Sequence, residues 1–328
     1  MSERQRGPGP AMTRRRAVGL TLGAGFAMSP LAIRAHMPPA DDTGSPPGGF
    51  DFAHPEALVS VDWLRMRLND PDLVLVGFMS AEELESGRIP GSVQVDWPEL
   101  EVIDTSDASI ESWQQDVQQL LGGLGIAVGS TVVAYDNGTL LSARLWWILH
   151  YFGHENVHIL DGGLPAWQAM DGEEESGAFE APSGGSAYAG TPNADLLAQR
   201  DEVLAMFEAP DVVVLDARTP EEFAEGHIPG AANLNFPLNA APEPPKLFKR
   251  ADELRAMYDE IGVSGDKLVI PYCASGVRSA VTAFVLYLLG YDNVALYTGS
   301  WLEWGEHPDT PKETGALPVP LPRAPQPY

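Results

Sequence analysis

In the last third of this 328-residue chain a lone cysteine opens the run Cys273-Ala274-Ser275-Gly276-Val277-Arg278-Ser279. An apolar, β-branched stretch over residues 268 to 272 precedes it, and residues 279 to 289 follow with apolar side chains at helical spacing. A short loop from a buried strand into a helix can curl until successive backbone N–H groups converge. That concavity, with the helix N-terminus, stabilises an anion at its centre. A cysteine sulfur placed there is favoured as thiolate, the nucleophilic form. Gly276 permits the tight turn, and Arg278 adds a fixed positive charge. A cysteine at a strand end is more often a small buried hydrophobe. Here glycine, arginine and serine accompany it into the helix, which points to chemistry.

The elements that must position this loop alternate short strands with amphipathic helices. Residues 211 to 215 read as a buried strand, 221 to 225 as a short helix and 232 to 235 as a short strand. Residues 252 to 261 repeat apolar side chains at helical spacing, and 294 to 297 form the next strand after the helix stopped by Gly290. Such alternation implies an α/β fold, a mainly parallel sheet with helices on both faces. Ligands then bind beyond the carboxyl ends of the strands, where Cys273 sits.

The pattern occurs twice. Gly87-Arg88-Ile89-Pro90-Gly91 answers Gly226-His227-Ile228-Pro229-Gly230. Val132-Val133-Ala134-Tyr135-Asp136 answers Val269-Ile270-Pro271-Tyr272-Cys273 at an offset of 137, and Gly153, Gly162 and Trp167 find partners in Gly290, Gly299 and Trp304 at the same offset. This is a duplicated domain, since solenoid periods are far shorter. The expected organisation is a first domain over 54–171, a polar linker over 172–193, a second domain over 194–308 and a proline-rich tail over 309–328. Residues 36–53 read as a flexible lead-in. Residues 1–35 carry Arg14-Arg15-Arg16 ahead of a 17-residue apolar run broken by Pro30. That arrangement resembles a twin-arginine export signal and predicts a periplasmic protein, with export machinery as the partner of the precursor.

Composition closes several alternatives. Asp plus Glu number 46 against 20 Lys plus Arg, a formal charge of −26, which excludes general nucleic-acid binding. Solubility or a salty habitat is the plain reading of that acidity. One cysteine excludes an internal disulfide framework and every multi-cysteine metal site. His150, His154 and His158 lie four apart, but Gly153 breaks the helix between them, so no metal is expected. No P-loop is present and no cofactor is implied. His227 reads as a turn residue, and Trp146, Trp147, Trp167 and Trp304 as core or interface aromatics.

The paired Gly-x-Ile-Pro-Gly segments, Asp216-Ala217-Arg218 after a strand, and the loop from Cys273 to Ser279 resemble the tandem-domain rhodanese family of sulfurtransferases, over residues 54 to 308. The resemblance implies two rhodanese-like domains, the first catalytically silent because Asp136 stands where the second has Cys273. It implies ping-pong transfer: Cys273 takes the outer sulfur of a small anionic donor as a persulfide, cradled by residues 274 to 279, and passes it to a thiophilic acceptor such as cyanide or a thiol. Arg218 and Arg278 are then expected to bind the donor's anionic head, with Ser275 also at the substrate.

Two features bear on the donor. In the mercaptopyruvate branch of the family a serine two positions after the cysteine is supported by a histidine and an aspartate of the first domain. Here Ser275 is present, but Arg88 stands at the histidine position and Gly77 near that of the aspartate. Thiosulfate is therefore the expected donor, with 3-mercaptopyruvate as the alternative. A non-enzymatic sulfur carrier or interaction module is the alternative of another class. A phosphatase of this fold is disfavoured, because only four residues separate Cys273 from Arg278 where that chemistry uses five.

Overall fold

The structure, a computed structural model, describes residues 51–80, 82–83, 87–177 and 185–316. The expected export signal over residues 1–35, residues 36–50 of the lead-in and residues 317–328 of the tail lie outside the described residues. No helix among the described residues is long and apolar enough to cross a membrane.

In the first half, strands β1 (Leu58–Val59), β2 (Leu73–Phe78), β3 (Val93–Val95), β4 (Thr131–Tyr135) and β5 (Val157–Leu160) form one parallel sheet in the order β1-β5-β4-β2-β3. Val132, Val133, Ala134 and Tyr135 are all buried, as a sheet covered on both faces requires. The helices whose bounds are described there are α1 (Val61–Arg65), α2 (Asp107–Gly123), α3 (Ala143–Tyr151) and α4 (Gly163–Ala169). The second half holds strands β6 (Val212–Asp216), β7 (Ala232–Asn233) and β8 (Leu268–Tyr272). Its helices are α5 (Arg200–Met206), α6 (Pro220–Glu225), α7 (Ala251–Glu260), α8 (Val277–Leu288) and α9 (Ser300–Glu306).

The strand expected over 294 to 297 is reduced to isolated bridges, Val294 to Val269 and Leu296 to Leu197. Proline explains the interruption. Val269 N–H donates to Asn293, and the N–H groups of Ala295 and Tyr297 donate to the carbonyls of Val269 and Pro271. The missing rung would need an N–H from residue 271, which proline lacks. In the first half Ala134 holds that position, and the β4–β5 ladder runs through it. With the bridges included, the second sheet repeats the order of the first: residue 197, residues 294–297, β8, β6, β7.

Helices α3 and α8 are apolar nearly all round and pack against each other between the halves. Trp146 meets Phe284 edge-on at 4.8 Å and His150 meets Tyr287 at 4.9 Å. These contacts advance together along both helices, so α3 and α8 run parallel and their N-termini share one end. One buried apolar cluster passes from Trp113 and Ile148 to Phe284 and Leu286 without a break.

The segment over 172–193 links the halves, and its described residues, 172–177 and 185–193, are tied to the first half. Arg88 pairs with Glu175 in an antiparallel bridge, and Tyr188 is buried, its N–H on the Gln118 carbonyl and its hydroxyl 2.8 Å from His154 Nδ1. The tail does the same in the second half, where Glu313 bridges to His227. Each half thus brings its C-terminal end back to its own Gly-x-Ile-Pro-Gly turn. The lead-in is anchored by its end: Phe52 is buried and Ala53 N–H donates to the Leu288 carbonyl.

Candidate active site

Strand β8 delivers Cys273 to the sheet's carboxyl edge, 1 % exposed, and α8 begins four residues later. Gly276, at φ +85°, turns the loop back so that its N–H donates to Cys273 Sγ at 3.2 Å. A β-carbon there would lie 2.8 Å from the Thr298 carbonyl, so the turn requires glycine on two counts. The opening N–H groups of α8, from Val277 to Ser279, have no carbonyl one turn earlier within the helix. The hydroxyls of Ser279 and Thr298 are buried beside the loop without a partner among the described residues. The Gly276 N–H is thus a donor on the sulfur at the mouth of a helix N-terminus, a contact that stabilises a sulfur anion.

The other half shows what such a loop does with an anion. Asp136 Oδ1 accepts the N–H groups of Thr139 (2.7 Å) and Leu140 (3.1 Å), and Oδ2 accepts that of Ser142 (2.9 Å). At the offset of 137 those amides correspond to Gly276, Val277 and Ser279. The first loop is thus filled by its own carboxylate, and it holds no nucleophile.

Backbone contacts fix the Cys273 loop from behind. The N–H groups of Trp301 and Leu302, at the start of α9, donate to the carbonyls of Cys273 and Ala274, each at 3.0 Å. Ser300 Oγ accepts the Cys273 N–H at 3.1 Å and donates to the Tyr297 carbonyl at 2.8 Å. Sequence reasoning missed Ser300. It adopts φ +53°, a left-handed conformation, and its counterpart in the first half is Gly163 at φ +55°. A serine where the repeat has glycine at positive φ was the available signal. Its hydroxyl anchors the Cys273 amide, and strained residues of this kind concentrate at functional sites.

Of the two expected donor-binding arginines, one is at the loop. Arg278 makes two 2.8 Å hydrogen bonds to Glu222 and keeps side-chain exposure of 23 %. The Glu222 hydrogen bonds raise its pKa above the usual guanidinium value, and Cys273 acts in the same direction. Arg278 in turn holds the Glu222 carboxyl down at about 2.

Arg218, expected at the donor, has other partners in the structure. Its Nε and Nη2 are committed to the buried Asp216 carboxylate at 2.6–3.1 Å and to the Gly226 carbonyl at 2.6 Å, and the guanidinium lies over Trp301 at 4.8 Å. It ties the end of β6 to the Gly-His-Ile-Pro-Gly turn and does not reach for a donor, because a buried carboxylate two residues away claims it first. Ser275 lies in the same loop as Cys273, with 9 % of its surface exposed.

The remaining residues are scaffold. His227 is buried, stacked on Phe223 at 3.7 Å with Nδ1 on the Phe223 carbonyl. Ile228 N–H donates to Tyr272 Oη, as Ile89 N–H does to Tyr135 Oη in the first half. The shared Gly-x-Ile-Pro-Gly turn therefore braces the central strand of each sheet. Arg88 binds Glu175 at 2.8 Å and the Gly177 carbonyl. Trp146 and Trp147 lie between the halves, while Trp167 and Trp304 are buried within their own. The described residues contain no cluster of metal-ligating side chains.

The rhodanese-like domain family matches the chain at residues 60–170 and 199–307. The chain is 34 % identical to a thiosulfate sulfurtransferase of Azotobacter vinelandii, over 80 % of this chain and 99 % of that protein. A thiosulfate sulfurtransferase of Pseudomonas aeruginosa is 36 % identical, over 76 % and 94 %. Among solved structures, the 3-mercaptopyruvate sulfurtransferase SseA of Escherichia coli aligns with a TM-score of 0.65 and 33 % identity, over 75 % of this chain and 98 % of that one. The duplicated domain is thus shared with a family model that matches twice, the relatives are matched over nearly their whole length, and the chain belongs to the rhodanese family of sulfurtransferases.

Proposed function

We propose that the protein transfers sulfur from thiosulfate through a persulfide on Cys273. The observation that carries this reading is the Gly276 N–H on Cys273 Sγ within a loop whose twin already holds an anion. The thiolate attacks the outer sulfur of thiosulfate, the S–S bond of the donor breaks, and sulfite leaves with the bonding electron pair. Cyanide or a thiolate then takes the outer sulfur and returns the Cys273 thiolate. No proton moves in the first step, because sulfite is a stable anion.

The choice of donor is supported by Arg88, which is bound to Glu175 and Gly177 and leaves Ser275 without the support that mercaptopyruvate chemistry draws on. Arg278 is the charge available at the loop for an anionic donor. Incubation with thiosulfate should add about 32 Da to the wild-type protein and nothing to Cys273→Ser, with the adduct discharged by cyanide as thiocyanate. An adduct that no acceptor removes would favour a carrier. With cyanide as common acceptor, kcat/KM should be higher for thiosulfate than for 3-mercaptopyruvate, and about a tenfold preference for the latter would overturn the assignment of donor. The reading extends to export by a twin-arginine route, supported by the three arginines before the apolar run. Changing Arg14, Arg15 and Arg16 to Lys should strand the precursor in the cytoplasm.

A further inference from the structure

Arg144 opens α3 in the silent half and is fully buried, with 0 % exposure. Only Nη2 is satisfied, by the Leu100 carbonyl at 2.7 Å. Nε and Nη1 have no partner among the described residues. Its cation lies against the faces of Trp147 (5.0 Å) and Trp113 (5.9 Å). A buried guanidinium with two idle donors is costly, and such groups are ordinarily paired.

Its position explains where the charge is used. Because α3 and α8 run parallel, Arg144 lies at the end of the helix pair that also carries the Cys273 loop. The chain leaving Leu100 then crosses to the catalytic half. Thr105 donates through its N–H and hydroxyl to Glu303 of α9 at 2.8 and 2.7 Å, and the Ile103 carbonyl closes on Gly299. Burial lowers the Arg144 pKa to about 10, which leaves it charged at neutral pH, and Cys273 and Glu101 are the groups that act on it in the opposite direction. The fold itself does not need a cation there: at the offset of 137 the equivalent residue of α8 is Val281, and that helix packs as well.

We propose that Arg144 is the silent half's contribution to catalysis, a buried positive charge that stabilises the anion at Cys273, as thiolate and as persulfide. This rests on the reading of Cys273 as the sulfur carrier. It gives the silent half an electrostatic task that Arg278, paired with Glu222 and partly exposed, performs less completely.

Cys273 is the one cysteine of the chain, so alkylation reads that site alone. The probes are iodoacetate, an anion, and iodoacetamide, its neutral analogue of similar size. Their rate ratio reports the local potential, which a merely structural role of Arg144 would not move. Arg144→Met should lower the ratio of iodoacetate to iodoacetamide roughly tenfold and Arg144→Lys should restore most of it. A Met variant that folds and keeps the wild-type ratio within about twofold overturns the proposal. If that variant does not fold, the wild type decides: a buried charge escapes screening, so the ratio should persist from low to high salt, and its collapse in salt overturns the proposal. Failure of the sulfur-carrier reading is distinct, since it would appear as no thiosulfate adduct on the wild type whatever the ratio does.

Discussion

Ser300 allows the catalytic loop's anchoring to be measured apart from its chemistry. Ser300→Ala removes the acceptor of the Cys273 N–H and the donor to the Tyr297 carbonyl, both buried. Orphaning such groups costs about 1–3 kcal/mol each, so a loss of roughly 2–6 kcal/mol is expected. Alanine also keeps the strain at φ +53°. Ser300→Gly loses the same hydroxyl but removes a left-handed penalty of about 1–2 kcal/mol, against about 0.4–1 kcal/mol for glycine's greater freedom when unfolded. The glycine variant should therefore be the more stable of the two by about 0.5–1 kcal/mol, although it deletes more atoms. Urea unfolding measures that order. Turnover of thiosulfate with cyanide should fall about tenfold or more in both, because both release the nucleophile's amide. Alanine more stable than glycine by over about 1 kcal/mol, or either variant with wild-type turnover, would refute the assignment of strain and anchor to this residue.

Arg218→Ala should cost about 3–5 kcal/mol of stability by leaving Asp216 buried and unpaired, while the thiosulfate KM of the folded fraction stays within about twofold; a large KM change at wild-type stability would return Arg218 to the donor. Asp161, buried at the seam with its carboxylate on the Phe248 N–H at 3.0 Å, has its pKa raised by burial to about 7. The native state then binds that proton more tightly than the unfolded chain. Its stabilising effect is complete below about pH 4 and is lost as pH rises through about 7, by up to about 4 kcal/mol. Asp161→Asn keeps the acceptor and should abolish that slope, and denaturation of both proteins from pH 4 to 8 checks it. Glu222→Gln removes the negative partner of Arg278, so the thiosulfate KM should fall about two- to fivefold at low salt, and a rise would show that Glu222 positions Arg278 rather than neutralising it.

The duplication, the alternation of strands and helices, and the Cys273 loop were legible because each depends on local pattern and on repetition within the chain. Pairings that require the third dimension were not. Nothing near Arg218 in sequence distinguishes Asp216 from Glu221 or Glu222 as its partner, and the structure divides them: Asp216 takes Arg218 and Glu222 takes Arg278. The strand at 294 to 297 has the composition of a strand, yet its ladder fails because the neighbour it must receive a hydrogen from is Pro271. The linker's polarity suggested freedom, but backbone pairing with Arg88 and packing of Tyr188 hold it, and neither is visible in composition. Ser300 was hidden for a different reason, since serine is unremarked until its φ is known.

Asp136 carries a consequence for how the two halves respond to turnover. The first loop has a permanent counter-anion, covalently part of the chain, so its amides are saturated at every stage of the cycle. The second loop depends on what sulfur Cys273 carries. Linkage then makes the catalytic half a gauge of its own loading: any preference of its amides for persulfide over thiolate must reappear, in full, as a difference in melting between the charged and discharged protein. The silent half supplies the constant baseline against which that difference is read.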